Sequence, residues 1–175
     1  MTKIIHSSSR LKRFYFLSLI LILFSAIQGV AQTTKVEKLL PQLKEKLEDT
    51  TRLRVLRELT SAYSSVDQDK KFYYAKRYKS LAEKLKIDTL VVEALIDMGG
   101  THAIQSEMDS ALYYFEKGKE KAESIKYQNG IARSLASIGY VYDKLDKESL
   151  SIEVYNKALA IYRKIKNKSL FIVSF

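Results

Sequence analysis

No cysteine occurs among the 175 residues, so disulfides, zinc–thiolate sites and thiol nucleophiles are excluded. Whatever body the chain forms must hold together by packing. Proline occurs once and glycine six times. All-strand folds need turn residues every eight to twelve positions or so, whereas helices joined by short polar loops do not. The chain also lacks a glycine-rich phosphate loop, a nucleophile motif and a carboxylate pair at catalytic spacing. Gly99-Gly100 lies within a helical pattern and makes no dinucleotide loop. His102 is the only histidine beyond His6, and with no cysteine or second histidine to complete a transition-metal site it reads as a packed side chain. These absences lead to an expectation of no catalysis, no cofactor and no metal.

What is present is ordinary for a globular body: 46% hydrophobic and 29% charged residues, which speaks against a disordered tail and a polytopic membrane protein. The first thirty residues or so stand apart. Lys3, Arg10, Lys12 and Arg13 precede an apolar run from Phe14 to Ile27, and Gly29-Val30-Ala31 supplies small residues where a signal peptidase cuts. That is the pattern of a secretory signal cleaved after Ala31, which implies a periplasmic or secreted protein. The alternative is an uncleaved anchor, because the run is at the short edge of what spans a bilayer. The formal net charge of +10 falls to +6 without the signal, with 26 basic residues against 20 acidic ones. Those charges are mixed along the chain, as on solvated helix faces.

The remainder repeats itself. A shift of 40 residues lays Phe72-Tyr73-Tyr74 on Leu112-Tyr113-Tyr114, Ala82-Glu83 on Ala122-Glu123, and Leu85-Lys86 on Ile125-Lys126 and then Ile165-Lys166. Upstream, Leu56, Leu95 and Leu135 correspond, as do Leu59-Thr60, Met98-Gly99 and Ile138-Gly139. Each unit holds two helical stripes. In the second unit Val91, Ala94, Leu95 and Met98 form one, and beyond the polar break at Gln105-Ser106-Glu107 come Ala111, Leu112, Phe115, Ala122 and Ile125. A helix hairpin cannot bury both of its stripes alone, so it must stack on its neighbours.

Leu135, Ile138-Gly139, Tyr142, Tyr155 and Ala158 of the third unit, and Leu95, Met98-Gly99, His102, Ala111, Phe115 and Gly118 of the second, resemble the tetratricopeptide repeat pattern. The units exceed the roughly 34 residues usual for that family and look like its longer, roughly 40-residue bacterial variant. The resemblance covers about residues 50 to 168. It implies an all-α fold, a right-handed solenoid of stacked helix hairpins. The first unit departs from the pattern, with Thr60 for Gly, Lys71 for Ala, and Ala75/Tyr78 where the others place a large residue before a small one. We read that exchange as a swapped packing that conserves volume.

The expected organisation is an export signal at 1–31, a leader helix at 32–49, repeats at 50–88, 89–129 and 130–168, and at 169–175 the start of a further, truncated helix or, alternatively, a short final helix covering the third repeat. Within the leader the regular helix is expected from near Leu40 to about Glu48, with Pro41 in its first turn, and Asp49 or Thr50 is expected to cap the next helix.

Tetratricopeptide arrays hold extended peptides in a groove lined by the first helix of each hairpin. Carried onto this sequence, the groove-facing residues would include Arg54, Arg57, Ser61, Glu93, Ile96, Gly100, Arg133, Ala136, Tyr140, Asp143 and Lys144. Basic members outnumber acidic ones. The expected ligand is therefore a peptide or protein segment bearing carboxylates, anchored by Arg54, Arg57 and Arg133 with Tyr140 as a wall. The family's carboxylate clamp for chaperone tails, built from Lys and Asn at set positions, is not reproduced. Lys70 to Lys79 mixes basic and aromatic residues, as single-strand nucleic-acid sites do, but it reads as a solvated face with core tyrosines, and no nucleic acid is expected. Two functions follow: an exported interaction scaffold or, alternatively, the extracytoplasmic sensor region of a membrane-bound signalling protein, a histidine kinase or transcriptional regulator.

Overall fold

The computed structural model describes the backbone of residues 33–173 and the side chains of 33–166. The proposed signal at 1–31 lies outside the described residues. The chain is all-helical, with no strand among the described residues. A short helix over 33–39 (α1) is followed by α2 (Asp49–Ala62), α3 (Gln68–Lys84), α4 (Asp88–Ile104), α5 (Met108–Ser124), α6 (Gln128–Lys144) and α7 (Glu148–Val173). Each helix from α2 onward packs on its chain neighbours, and α4 also meets α6.

From α3 to α7 the helices begin 20 residues apart, and the reason is their ends. Lys86, Ser106, Lys126 and Asp146 all take positive φ, between 55° and 62°. At each, the next residue's N–H donates back across the turn: Ile87 to the Ala82 carbonyl at 2.9 Å, Glu107 to His102 at 2.9 Å, Tyr127 to Ala122 at 2.8 Å and Lys147 to Tyr142 at 2.9 Å. These are four Schellman stops, each satisfying carbonyls that the helix end would orphan. None uses glycine, so each holds an L-residue in the left-handed region at a cost of about 1 kcal/mol. Helix starts are less uniform. Asp67 caps α3, accepting from the Lys70 N–H at 2.9 Å. Asp88, Asp109 and Glu148 instead sit in the first turns of α4, α5 and α7, where negative charge suits the helix dipole.

The helix α4 is the centre of the body. Val91, Val92, Ala94, Leu95, Ile96, Met98, Gly99, Thr101 and Ala103 are all buried, because α3, α5 and α6 surround it. Around it the core divides into seams. Leu53, Leu56, Tyr78, Ala82, Val91, Ala94 and Leu95 fill the seam of α2 and α3 with α4. Val92, Ile96, Ala111, Phe115, Ala122, Ile138 and Val141 fill the one where α4 and α5 meet α6. The departure of the first unit is resolved here. In the second hairpin a Cβ on Gly99 would lie 2.6 Å from the Phe115 ring, and in the third a Cβ on Gly139 would lie 3.0 Å from that of Tyr155. In the first, Thr60 and Ala75 are both fully buried and the bulk has moved to Tyr78, also fully buried, in the seam with α4.

Three expectations are corrected. The leader is helical before Pro41, over 33–39, and not from Leu40 to Glu48. Pro41 opens a separate four-residue 3-10 turn, Pro41–Lys44, where its missing N–H is not needed. Val36 and Leu39 bury against Val55, Leu59, Ala62 and Tyr63, and Leu43 and Leu47 pack half-buried on the same cluster, so the leader covers the first hairpin from both sides of the proline. Asp49 and Thr50 lie inside α2. The cap residue is Glu48, whose side chain makes no capping bond, and Asp49 pairs instead with Lys84 at 2.8 Å. Finally, α7 runs unbroken from Glu148 to Val173, with no turn where a fourth first-helix was expected at 169. The earlier stops at 86 and 126 are each followed by an apolar residue, Ile87 and Tyr127, which pack into the core. The equivalent position, Asn167, lies inside α7.

Candidate functional site

Helices α4 and α6 stand side by side, and their small residues leave a groove. Gly100, Ala103 and Ile104 of α4 form one wall, and Ala136, Ser137 and Tyr140 of α6 the other; Phe115 of α5 and Lys71 of α3 complete a cavity of about 400 Å³. A helix interior built from Gly, Ala and Ser gives up apolar burial that larger side chains would provide. Here that sacrifice keeps a channel open.

Of the residues expected to face the groove, the structure brings Gly100, Ala136 and Tyr140 together in this cavity. Tyr140 is exposed, and the Lys144 ammonium lies 5.4 Å from its ring centre, at a cation–π distance. Glu93 and Arg133 are joined as an ion pair across α4 and α6, and Glu93 also accepts from the Tyr127 hydroxyl at 3.0 Å. Arg54 is exposed and donates to Glu58 on its own helix at 2.8 Å. Arg57 and Ser61 are exposed on α2, and Asp143 is exposed beside Lys144 on α6. Ile96 is not a groove residue. It is buried in the core, with its Cγ1 3.4 Å from where a Cβ on Gly118 would stand.

Lys71 is the residue that sequence reasoning left off the site. It is only 6% exposed, it lines the groove, and its Nζ lies 3.7 Å from the position of a Cβ on Gly100. Its side chain makes no hydrogen bond or ion pair with any described residue. Burial holds the lysine below the usual ammonium range, opposed by the negative charge of Asp97 on α4. Burial likewise raises Asp97, opposed by Lys71. The two groups feel one another without touching. The signal was in the sequence: Lys71 stands where the other units have Ala111 and Ser151. From sequence, Lys71 falls in a packing exchange and on a solvated helix face, and neither assigns it to the groove.

Beneath the same seam Tyr78 is fully buried and its hydroxyl finds no hydrogen-bond partner. Burial pushes its pKa up to about 12, with Arg57 and Arg133 drawing it down and Asp97 and Tyr127 pushing it up. The remainder of the basic–aromatic stretch behaves as a helix should: Lys71, Ala75 and Tyr78 point inward, while Lys70, Tyr73, Lys76 and Arg77 are exposed. His102 is half-buried, stacked on Tyr114 at 5.3 Å and hydrogen-bonded through Nδ1 to Glu107 at 2.5 Å. No cluster of three or more potential metal-binding side chains occurs among the described residues. None of the described helices is long and apolar enough to cross a membrane.

No family model matches the chain, and no curated protein matches it. The reading of the site therefore rests on its geometry.

Proposed function

We propose that the chain is an exported, non-catalytic interaction scaffold: a right-handed solenoid of tetratricopeptide-like hairpins that holds an extended, carboxylate-bearing peptide segment of a partner protein between α4 and α6. The observation that carries this reading is the groove. Two facing helices present Gly100, Ala103, Ala136 and Ser137 over a cavity of about 400 Å³ with an exposed tyrosine at its rim. That volume lies in the range of ligand pockets, and the groove is open on one side, where an extended segment can lie across it. The 20-residue spacing of the helix stops and the stacking of each hairpin on the next support the solenoid. The surrounding charge supports the ligand class. Arg57 makes no ion pair with any described residue, and Arg54 and Arg133 can exchange Glu58 and Glu93 for a ligand's carboxylates.

Selection of displayed peptides on the immobilised chain, followed by amide shift mapping, tests this directly. Bound peptides are expected to shift residues of α4 and α6, and Ala136→Arg is expected to abolish binding by filling the channel. Reversing two anchors together, Arg54→Glu with Arg133→Glu, is expected to weaken acidic peptides most. Peptides that mapped to the outer faces of α3 and α5, and that ignored Ala136→Arg, would refute the groove. Export is tested separately by N-terminal sequencing of the mature protein, which is expected to begin at Gln32.

One observation favours a second reading. Ile152, Tyr155, Leu159 and Tyr162 are exposed along one face of α7, a row that further protein would cover if this body were the sensor region of a membrane-bound signalling protein. An open reading frame continuing past Phe175 into an apolar span and an output domain would establish it.

A further inference from the structure

Lys71 presents an energetic puzzle that the scaffold reading does not use. An ammonium group carries three donors, and burying it unpaired is unfavourable. Lys71 is only 6% exposed, its side chain has no hydrogen-bond or ion-pair partner among the described residues, and its ammonium is left to meet whatever occupies the groove. The fold does not require a charge there. The equivalent position of the next hairpin is Ala111, fully buried, and the residue equivalent to Asp97 is Ser137. The same joint is thus built once with a lysine facing an aspartate and once with alanine and serine. Gly100 completes the arrangement. With no side chain of its own, it leaves the space between Lys71 Nζ and the opposite wall of α6 open.

We propose that Lys71 makes this groove a carboxylate-reading subsite: its ammonium takes the carboxylate of a bound segment, and the small side chains of Gly100, Ala103 and Ala136 admit a small aliphatic group beside it. The inference rests on the peptide-groove reading and assigns the residue and the chemistry within it. The anion is a monoanion. A single cation serves it, the walls are apolar apart from Ser137 and Tyr140, and Asp97 repels any additional negative charge. Ser137 lies on the same groove and offers its hydroxyl to the second carboxylate oxygen. A charge-assisted bond is short and strong, and here it supplies the side-chain partner that the folded chain does not provide. The carboxylate comes either from a chain terminus or from an acidic side chain, and the two are separable.

The test uses the full chain, isotope-labelled, titrated with three small probes and followed at the Lys71 Nζ and Gly100 amide resonances. N-acetylvaline carries a terminal carboxylate, N-acetylglutamic acid α-amide a side-chain carboxylate, and N-acetylvalinamide none. A saturable shift at both resonances is expected with one of the carboxylates, at least about tenfold tighter than with the amide. The tighter carboxylate identifies the source. Lys71→Met is expected to remove that preference while circular dichroism shows the helices intact. Gly100→Leu keeps the lysine and blocks the space, so it is expected to abolish binding even if the Lys71 variant does not fold. Equal binding of the amide, undiminished binding by Lys71→Met, or no shift from either carboxylate would each overturn the proposal. If peptides bind between α4 and α6 and Lys71→Met leaves them unaffected, the subsite fails and the scaffold stands. If N-acetylvaline binds at Lys71 but longer peptides gain nothing, the subsite stands and the peptide groove fails.

Discussion

The two joints on either side of α4 and α5 are built from equivalent positions and solved in opposite ways. In the first, α3 contributes Lys71 and Tyr78, α4 contributes Asp97, and α2 places Thr60 where the other units have glycine. In the second, the same places hold Ala111, Gly118, Ser137 and Gly99. The second joint is the economical one: Phe115 drops onto Gly99, and Gly118 lets α5 come close to Ser134 and Ile96. The first holds the partnerless Tyr78 hydroxyl and the second the partnerless Ser134 hydroxyl, so what sets the first apart is its charge: a lysine with no side-chain partner on the wall of the groove. The second joint, 40 residues later, is built without that charge, so the fold does not need it at such a joint. The proposed carboxylate subsite is the account of that difference, since the cation of the first joint opens onto the groove.

The sharpest break between the joints is expected at their aromatic residues. Tyr78→Ala removes the largest fully buried side chain and is expected to cost about 3–5 kcal/mol in urea unfolding, as large-to-small changes of a buried aromatic do. Next come the adjacent glycines. Gly99→Ala forces a methyl to 2.6 Å from the Phe115 ring and 3.1 Å from the Ala111 carbonyl, and an expected loss of about 1–3 kcal/mol is the penalty of overpacking. Gly100→Ala meets only Lys71 Nζ at 3.7 Å, so the gain in helix propensity prevails and the variant is expected to be about 0.5–1 kcal/mol more stable. Opposite signs at neighbouring glycines would show that one faces the joint and the other the groove; equal signs would erase the distinction.

A smaller change isolates the orphaned hydroxyl. Tyr78→Phe keeps the ring and deletes a buried group that lacks a partner, and is expected to stabilise by about 1 kcal/mol. Smallest of all are the helix stops, which should not distinguish the joints. Lys86→Gly and Lys126→Gly relieve the same left-handed strain and are each expected to add about 0.5–1 kcal/mol, read as matched rises in thermal midpoint.

Much of this was legible in the sequence, and the reason is repetition. The helical stripes, the loop at Gln105 to Glu107 and the glycines under aromatics recur, so each occurrence checks the others. What was misread falls where the repeat gives no template. The leader has no second copy, and the cost of a mid-helix proline suggested the wrong side of Pro41 for its helix. The match of Ile165-Lys166 to the earlier stops suggested a helix end there that α7 does not have. Ile96 was assigned to the groove from register alone, but the space left by Gly118 draws it into the core. Lys71 was noticed as a departure and absorbed into an argument about volume, which accounts for Ala75 and Tyr78 but says nothing about a charge.

The central claim is that the lysine–aspartate joint is kept for binding and not for stability. The direct measurement is the urea unfolding of Lys71→Ala with Asp97→Ser, which rebuilds the first joint in the likeness of the second. Replacing buried charges with well-packed neutral groups is often neutral or stabilising by about 1–4 kcal/mol. The double variant is therefore expected to be at least as stable as the parent while losing its preference for N-acetylvaline or N-acetylglutamic acid α-amide over N-acetylvalinamide. A double variant about 2 kcal/mol less stable than the parent, or one that retained the carboxylate preference, would contradict the account.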